Sequence, residues 1–132
     1  MTANDVLAAY RRNEVTTSSP GKLVLMLYDD AIRCLKWGGR AMEKRDIQAT
    51  NDNLCRAQQI IFTLLGALDR EAGGAIADNL AGLYNYILRL VSRANIEKDP
   101  SRVQEALGLM DTLRAGWQGA VAPGVSRTEA TG

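Results

Sequence analysis

The side chains in this chain that could do chemistry are few: an adjacent carboxylate pair, Asp29-Asp30, and two thiols, Cys34 and Cys55. Two-carboxylate hydrolysis needs acids brought together across a cleft. On a helix, neighbouring residues point about 100° apart, so Asp29 and Asp30 are poorly placed to clamp one ion or substrate. They read as a solvated face or a packing pair. Histidine is absent, which removes Ser-His-Asp and Cys-His sites and ordinary zinc sites. It also removes the Glu-x-x-His motif of di-iron bundles and the phosphorylated residue of a histidine phosphotransfer bundle. The thiols lie in separate helical patterns with no CxxC pair and read most simply as reduced core or groove residues, with disulfide or metal use the minor alternative. The expectation is a chain with no catalytic residue, no metal site and no cofactor.

Composition points the same way. The 132 residues suit one domain with a sizeable core. Sixteen basic and fifteen acidic residues nearly cancel, at net charge +1. Basic residues are scattered, with only Arg11-Arg12 and Lys44-Arg45 adjacent. No long-range field would draw in nucleic acid or an anionic membrane. No apolar run approaches the roughly 20 residues that span a bilayer, and MTANDVLAAY lacks the basic and apolar regions of a signal peptide. A cytoplasmic protein without membrane insertion is expected.

The elements follow from periodicity. Thr2 or Asn4 can cap a short helical turn carrying Val6, Leu7 and Tyr10, followed by a mostly polar linker over 11–18. Ser19 can cap a first helix, and Pro20 suits its opening turn. That helix, about 20–44, places Leu23, Leu27, Ala31, Leu35 and Met42 on one stripe. The Gly38-Gly39 pair inside it implies a close neighbour or a bend. A second helix, about 47–70, carries a seam from Ile47 through Leu54 and Ile61 to Leu68, ended by Gly73-Gly74. A third, about 76–98, repeats the seam through Leu80, Leu83, Ile87, Leu90 and Ala94, with Asp99-Pro100 as its boundary. A fourth, from about 100 to 120, carries Val103, Leu107, Met110, Leu113 and Trp117. No segment sustains a period of two. The fold class is all-α: an antiparallel four-helix bundle over 19–120, an N-terminal segment and linker over 1–18, and a disordered tail over 121–132.

More apolar residues remain than one stripe per helix requires. Leu25 and Tyr28 on the first helix, Ile60 and Phe62 on the second, and Tyr84, Tyr86 and Leu88 on the third flank the seams. Wide stripes can bury against two neighbours. As a set, they can instead line grooves that accept a partner's amphipathic helix. The candidate partner-binding residues are Leu7, Tyr10, Leu25, Tyr28, Ile60, Tyr84 and Leu88. Leu7 and Tyr10, three apart, share a face of the short turn and could dock on the bundle or touch a partner.

Two stretches carry a resemblance. Residues 10–32 read YRRNEVTTSSPGKLVLMLYDDAI, and residues 79–99 read NLAGLYNYILRLVSRANIEKD. The first resembles AYxxxxVxTxSPxKLxxMLYDGAI and the second NLxxLYxYxxRxLxxANxxxD, both segments of the FliS flagellin-export chaperones. The likeness extends over about 9–118, including Leu113 to Trp117 as LRxxW. It departs at Asp30, where that family usually has glycine, at Val91 in place of leucine, and at the unusual Gly38-Gly39 pair. The resemblance implies a four-helix bundle with a displaceable N-terminal segment. It also implies a non-enzymatic role: binding the C-terminal region of flagellin, preventing premature polymerisation, and hand-over to a flagellar export gate component. A self-associating bundle adaptor, homodimeric through the same apolar flanks and without a flagellin client, is the alternative.

Overall fold

The computed structural model describes residues 20–121. The expected N-terminal segment with Leu7 and Tyr10, the Ser19 cap and the tail from 122 lie outside the described residues. Four helices are present: α1 (Pro20–Glu43), α2 (Ile47–Gly66), α3 (Arg70–Glu97) and α4 (Pro100–Val121). Among the described residues there is no strand. Connections of two or three residues force each helix to run back along its predecessor. α1 packs on α2 and α4, and α3 packs on the same two, so the helices close in a ring with α1 and α3 on one diagonal.

Local chemistry explains the boundaries. Asp46 caps α2 by accepting from the Ala49 N–H at 3.0 Å. Asp69 caps α3 through the Ala72 N–H at 2.9 Å. Asp99 accepts from the backbone N–H and hydroxyl of Ser101 at 3.0 and 2.7 Å, holding the start of α4. These donors, the hydroxyl foremost, keep the Asp99 carboxyl below its ordinary range. Lys98 closes α3 in the left-handed conformation, at φ 53° and ψ 50°.

The Asp69 cap corrects one boundary read from sequence. The second helix ends at Gly66 with Ala67 as its C-cap, not at Gly73-Gly74. Asp69 starts a new turn ahead of the glycines, and Gly74, at φ 56° and ψ −131°, kinks α3 just inside its first turns. A side chain would be strained there. Gly38 resolves the other open point. A Cβ added to it would stand 2.6 Å from Leu54 Cδ2, so the glycine marks close approach of α2 to α1.

The core runs the length of the ring. Leu27 and Leu35 of α1, Leu54 and Ile61 of α2, Ile87 of α3 and Met110 of α4 are all fully enclosed. Two seam positions are corrected. Ile47, the first residue of α2, is 68% exposed, so the α2 seam begins at Thr50. Leu83 is 37% exposed, and its neighbour Tyr84 points inward instead. The inward set on α3 is Ala77, Ala81, Tyr84, Ile87, Leu90, Val91 and Ala94, most of them three or four residues apart, as a helical face requires. Small alanines face the core near the kinked end, and the tyrosine faces it in the next turn.

Candidate functional site

α3 and α4 are the least closely packed neighbouring pair, and between them runs an open apolar groove. It encloses about 320 Å³ and is lined by Ile76 and Leu80 of α3 with Thr112, Leu113, Gly116 and Trp117 of α4. Ile76 and Leu80 are one turn apart, so they share a face, and Leu83 continues that stripe past the groove. Ile76 is 73% exposed, an unusual position for an isoleucine with a core within reach. The Thr112 hydroxyl donates to the Gly108 carbonyl at 3.0 Å, which leaves its methyl free to face the groove. A Cβ at Gly116 would meet nothing within 4 Å among the described residues. Packing within this chain therefore does not require a glycine there, although it weakens the helix.

Behind the groove lies a buried pair of hydroxyls that spans the ring. Tyr28 of α1 and Tyr84 of α3 meet hydroxyl to hydroxyl at 2.5 Å, across the diagonal of the bundle. Their rings stand 6.5 Å apart, tilted by 47°. Trp117, a wall of the groove, packs against the core cluster to which both tyrosines belong. Burial pushes both phenols above their ordinary range. They are neutral hydrogen-bonding groups, not bases.

Polar contacts tie the helices together on the surface. Tyr86 donates to Glu105 Oε2 at 2.5 Å and ties α3 to α4 beyond the groove's inner end. Arg114 of α4 pairs with Asp29 of α1 and also donates to Gln118 at 2.9 Å. Asp30 pairs with Arg33 instead. The two adjacent carboxylates thus serve different arginines and do not converge. No group of three or more His, Cys, Asp or Glu able to hold a metal occurs among the described residues. Both cysteines are free: Cys34 is buried, which pushes its thiol up, and Cys55 is exposed beside Asn51. A larger depression of about 480 Å³ lies at the opposite end, but Glu43, Arg45 and Lys98 give it a charged wall.

The residues expected to meet a partner are scattered by the fold. Tyr28, Ile60 and Tyr84 are 0–1% exposed and belong to the core. Their flanking positions on the helical wheel are inward because each helix buries an arc against two neighbours. Leu25 and Leu88 are half-buried. Leu25 lies one turn before Asp29, on the flank of α1 that reaches α4 through Arg114. Leu88 lies two turns before Asn95, whose amide donates to Asn51 of α2 at 2.9 Å. The two leucines therefore edge opposite sides of the ring. Leu7 and Tyr10 lie outside the described residues. Ile76, Leu80, Leu113 and Trp117 were assigned to helix starts and seams, which hid the groove. Two signals pointed to it: an isoleucine with no seam position, and a glycine at 116 without a packing reason.

Fold and surface together define an antiparallel four-helix bundle with an apolar groove open along one side. The family model described as flagellar protein FliS matches residues 2–124, and the chain belongs to the FliS family. It is 31% identical over 121 residues to the flagellar secretion chaperone FliS of Bacillus subtilis (strain 168), covering 92% of this chain and 90% of that protein. Identity to the flagellar secretion chaperone FliS of Salmonella typhimurium is 36% over 105 residues, covering 79% and 78%. For the Campylobacter jejuni protein of the same name it is 33% over 110 residues, covering 83% and 86%. No described helix is long and apolar enough to cross a membrane.

Proposed function

We propose that the protein is a cytoplasmic, non-enzymatic flagellar secretion chaperone that holds the C-terminal segment of flagellin before export. The observation that carries this reading is the α3–α4 groove, an unfilled apolar surface on a bundle of the FliS family. A disordered client segment would fold as a helix along it, with apolar side chains three and four apart entering between Ile76, Leu80, Leu113 and Trp117. Covering that segment would keep it from driving filament assembly until hand-over to the export gate.

Coupled folding and binding commonly buries about 1,000–3,000 Å², because the client's ordering cost must be outweighed. The groove alone takes only a few side chains, so the client must extend over further surface. Leu25 and Leu88 on the outer flanks, and Leu7 and Tyr10 on the N-terminal segment, are the proposed further contacts. Tyr28, Ile60 and Tyr84 shape the bundle instead of touching the client. Calorimetry with a peptide of the flagellin C-terminus should give near-equimolar binding with a negative heat-capacity change. A well-folded sample with no detectable binding refutes the reading. Sedimentation showing self-association that the peptide does not alter would favour the bundle adaptor.

A further inference from the structure

We propose that the second half of α1 is a docking face for an acidic segment of a partner protein, centred on Trp37 and the cations Lys36, Arg40 and Lys44. The face is separate from the α3–α4 groove and goes beyond the chaperone reading.

A spacing of three and four residues brings Arg33, Lys36, Trp37, Arg40 and Lys44 onto one helical face, and all five are exposed. The Lys44 N–H donates to the Arg40 carbonyl at 3.1 Å, which carries the helical turn just past the end of α1. Arg45 follows, and Glu43 is the one carboxylate within residues 36–45. Lys36, Arg40 and Lys44 form no ion pair among the described residues. Carboxylates before and after the row are engaged: Asp29 with Arg114, Asp30 with Arg33, and Asp46 with the Ala49 N–H.

The needs of the helix do not explain this row. Like charges four apart repel, so Lys36 with Arg40 and Arg40 with Lys44 each weaken α1. The helix dipole favours cations in the last turn, which covers Arg40 and Lys44 but not Lys36, two turns from the end. Neither effect explains Trp37, which is 52% exposed, with the Arg40 guanidinium 5.1 Å from its ring centre. Tryptophan and arginine are the residues that most often anchor a protein partner. Beside them a depression of about 320 Å³ opens between α1 and α4, lined by Lys36, Gly39, Arg40, Glu43, Gln104 and Leu107. A partner's side chain can enter there.

The charges favour an acidic peptide over a polyanion. The cations from Lys36 to Lys44 span only two turns, and Asp29 and Glu43 on the same helix would repel a longer anionic surface. A chain of net charge +1 has no wider field to hold a nucleic acid or a membrane. α1 and α3 occupy opposite corners of the ring, so the exposed face of α1 points away from α3. A partner seated on it leaves the groove open to a client.

The test titrates the full chain with two short peptides, one of Glu and Asp around a single leucine, the other with Gln and Asn in their place. In NMR spectra the acidic peptide should shift the Trp37 indole N–H and the amides of 36–45, leaving those of Ile76, Leu80 and Trp117 in place. The neutral peptide should bind roughly tenfold more weakly. Lys36→Glu turns a repulsive pair with Arg40 into an attractive one, so its melting temperature should rise slightly. Its affinity for the acidic peptide should nevertheless fall roughly threefold to tenfold. Trp37→Ala, also at an exposed site, should stay folded and lose roughly fivefold or more. Equal shifts by both peptides, or shifts spread over the whole surface, overturn the proposal. Tighter binding of a DNA duplex or of phosphatidylserine vesicles than of the acidic peptide overturns it in favour of a polyanion site. Self-association in sedimentation that Lys36→Glu abolishes also overturns it, giving the face to a second copy. The flagellin C-terminal peptide is titrated separately and should bind wild type and both variants alike. Its failure to bind would refute the chaperone reading, while the acidic peptide still judges the α1 face.

Discussion

Gly116→Ala should make the protein more stable and a worse binder. The stability gain follows from backbone entropy and helix propensity, since alanine in a helix interior is favoured over glycine by roughly 0.5–1 kcal/mol. Nothing offsets it, because a Cβ at Gly116 meets no described atom within 4 Å. The position lies in the last two turns of α4 (Pro100–Val121), where fraying dilutes the gain. About 0.5 kcal/mol is therefore expected, or a melting temperature higher by about 2–4 °C. The binding loss follows from where the methyl goes. Gly116 lines the groove, so the added carbon occupies space that a client backbone would use. Overpacking of that kind costs about 1–2 kcal/mol, roughly fivefold to thirtyfold in affinity. Gly108→Ala is the control. It is equally open but lies two turns earlier and is not part of the groove lining, so it should gain stability and keep affinity. Thermal melts and peptide titrations on the three proteins decide the matter. A destabilised Gly116→Ala would mean that something already fills the groove. Unchanged affinity would mean that no client backbone comes close there.

Three further outcomes are expected. Gly38→Ala should lower stability by about 1 kcal/mol in denaturant melts, because the overpacking against fully buried Leu54 exceeds the gain in helix propensity. Ile61→Ala should cost about 2–5 kcal/mol, and Leu83→Ala less than about 1 kcal/mol, because the first is enclosed and the second is 37% exposed. Equal losses in denaturant melts would contradict the register of α3. In alkali, Tyr28 and Tyr84 should resist ionisation, because burial raises both above the free-tyrosine value of 10.0. Their folded pKa being the higher, the stability they contribute is present below that value and is lost as pH climbs above it. A spectrophotometric titration in which all four tyrosines of the chain ionise together near pH 10.0, with the helix intact, would refute the burial of the pair.

The bundle was legible because long amphipathic helices leave a strong periodic record. Leu27, Leu35, Leu54, Ile61 and Met110 all occupy the enclosed positions their spacing predicts. The failures share a cause. Periodicity tells which residues lie on one stripe, but the absolute rotation of the stripe depends on where the helix starts. In α3 the start is set by Asp69, and the kink at Gly74 then separates the first turn from the rest. The rotation places Tyr84 inward and Leu83 outward, a difference of one residue that two large apolar side chains in sequence cannot settle. The partner-facing residues suffered more. Apolar residues beside a seam are equally consistent with a wide core and with a groove, and in Tyr28, Ile60 and Tyr84 the core won.

The groove is also where the chain departs from its own folding logic. α4 carries Gly108, Gly116 and Gly119 at positions where added methyls would meet nothing among the described residues. On the other side of the groove, Ile76 remains in water although burying it would favour the fold. A bundle selected for stability alone would fill these glycines and close α3 onto α4. Keeping the pair apart leaves apolar area unburied, and the surface so preserved includes Trp117, which packs on the core cluster. Open glycines on one wall and an exposed isoleucine on the other then make one surface, the one that the proposed client helix would cover.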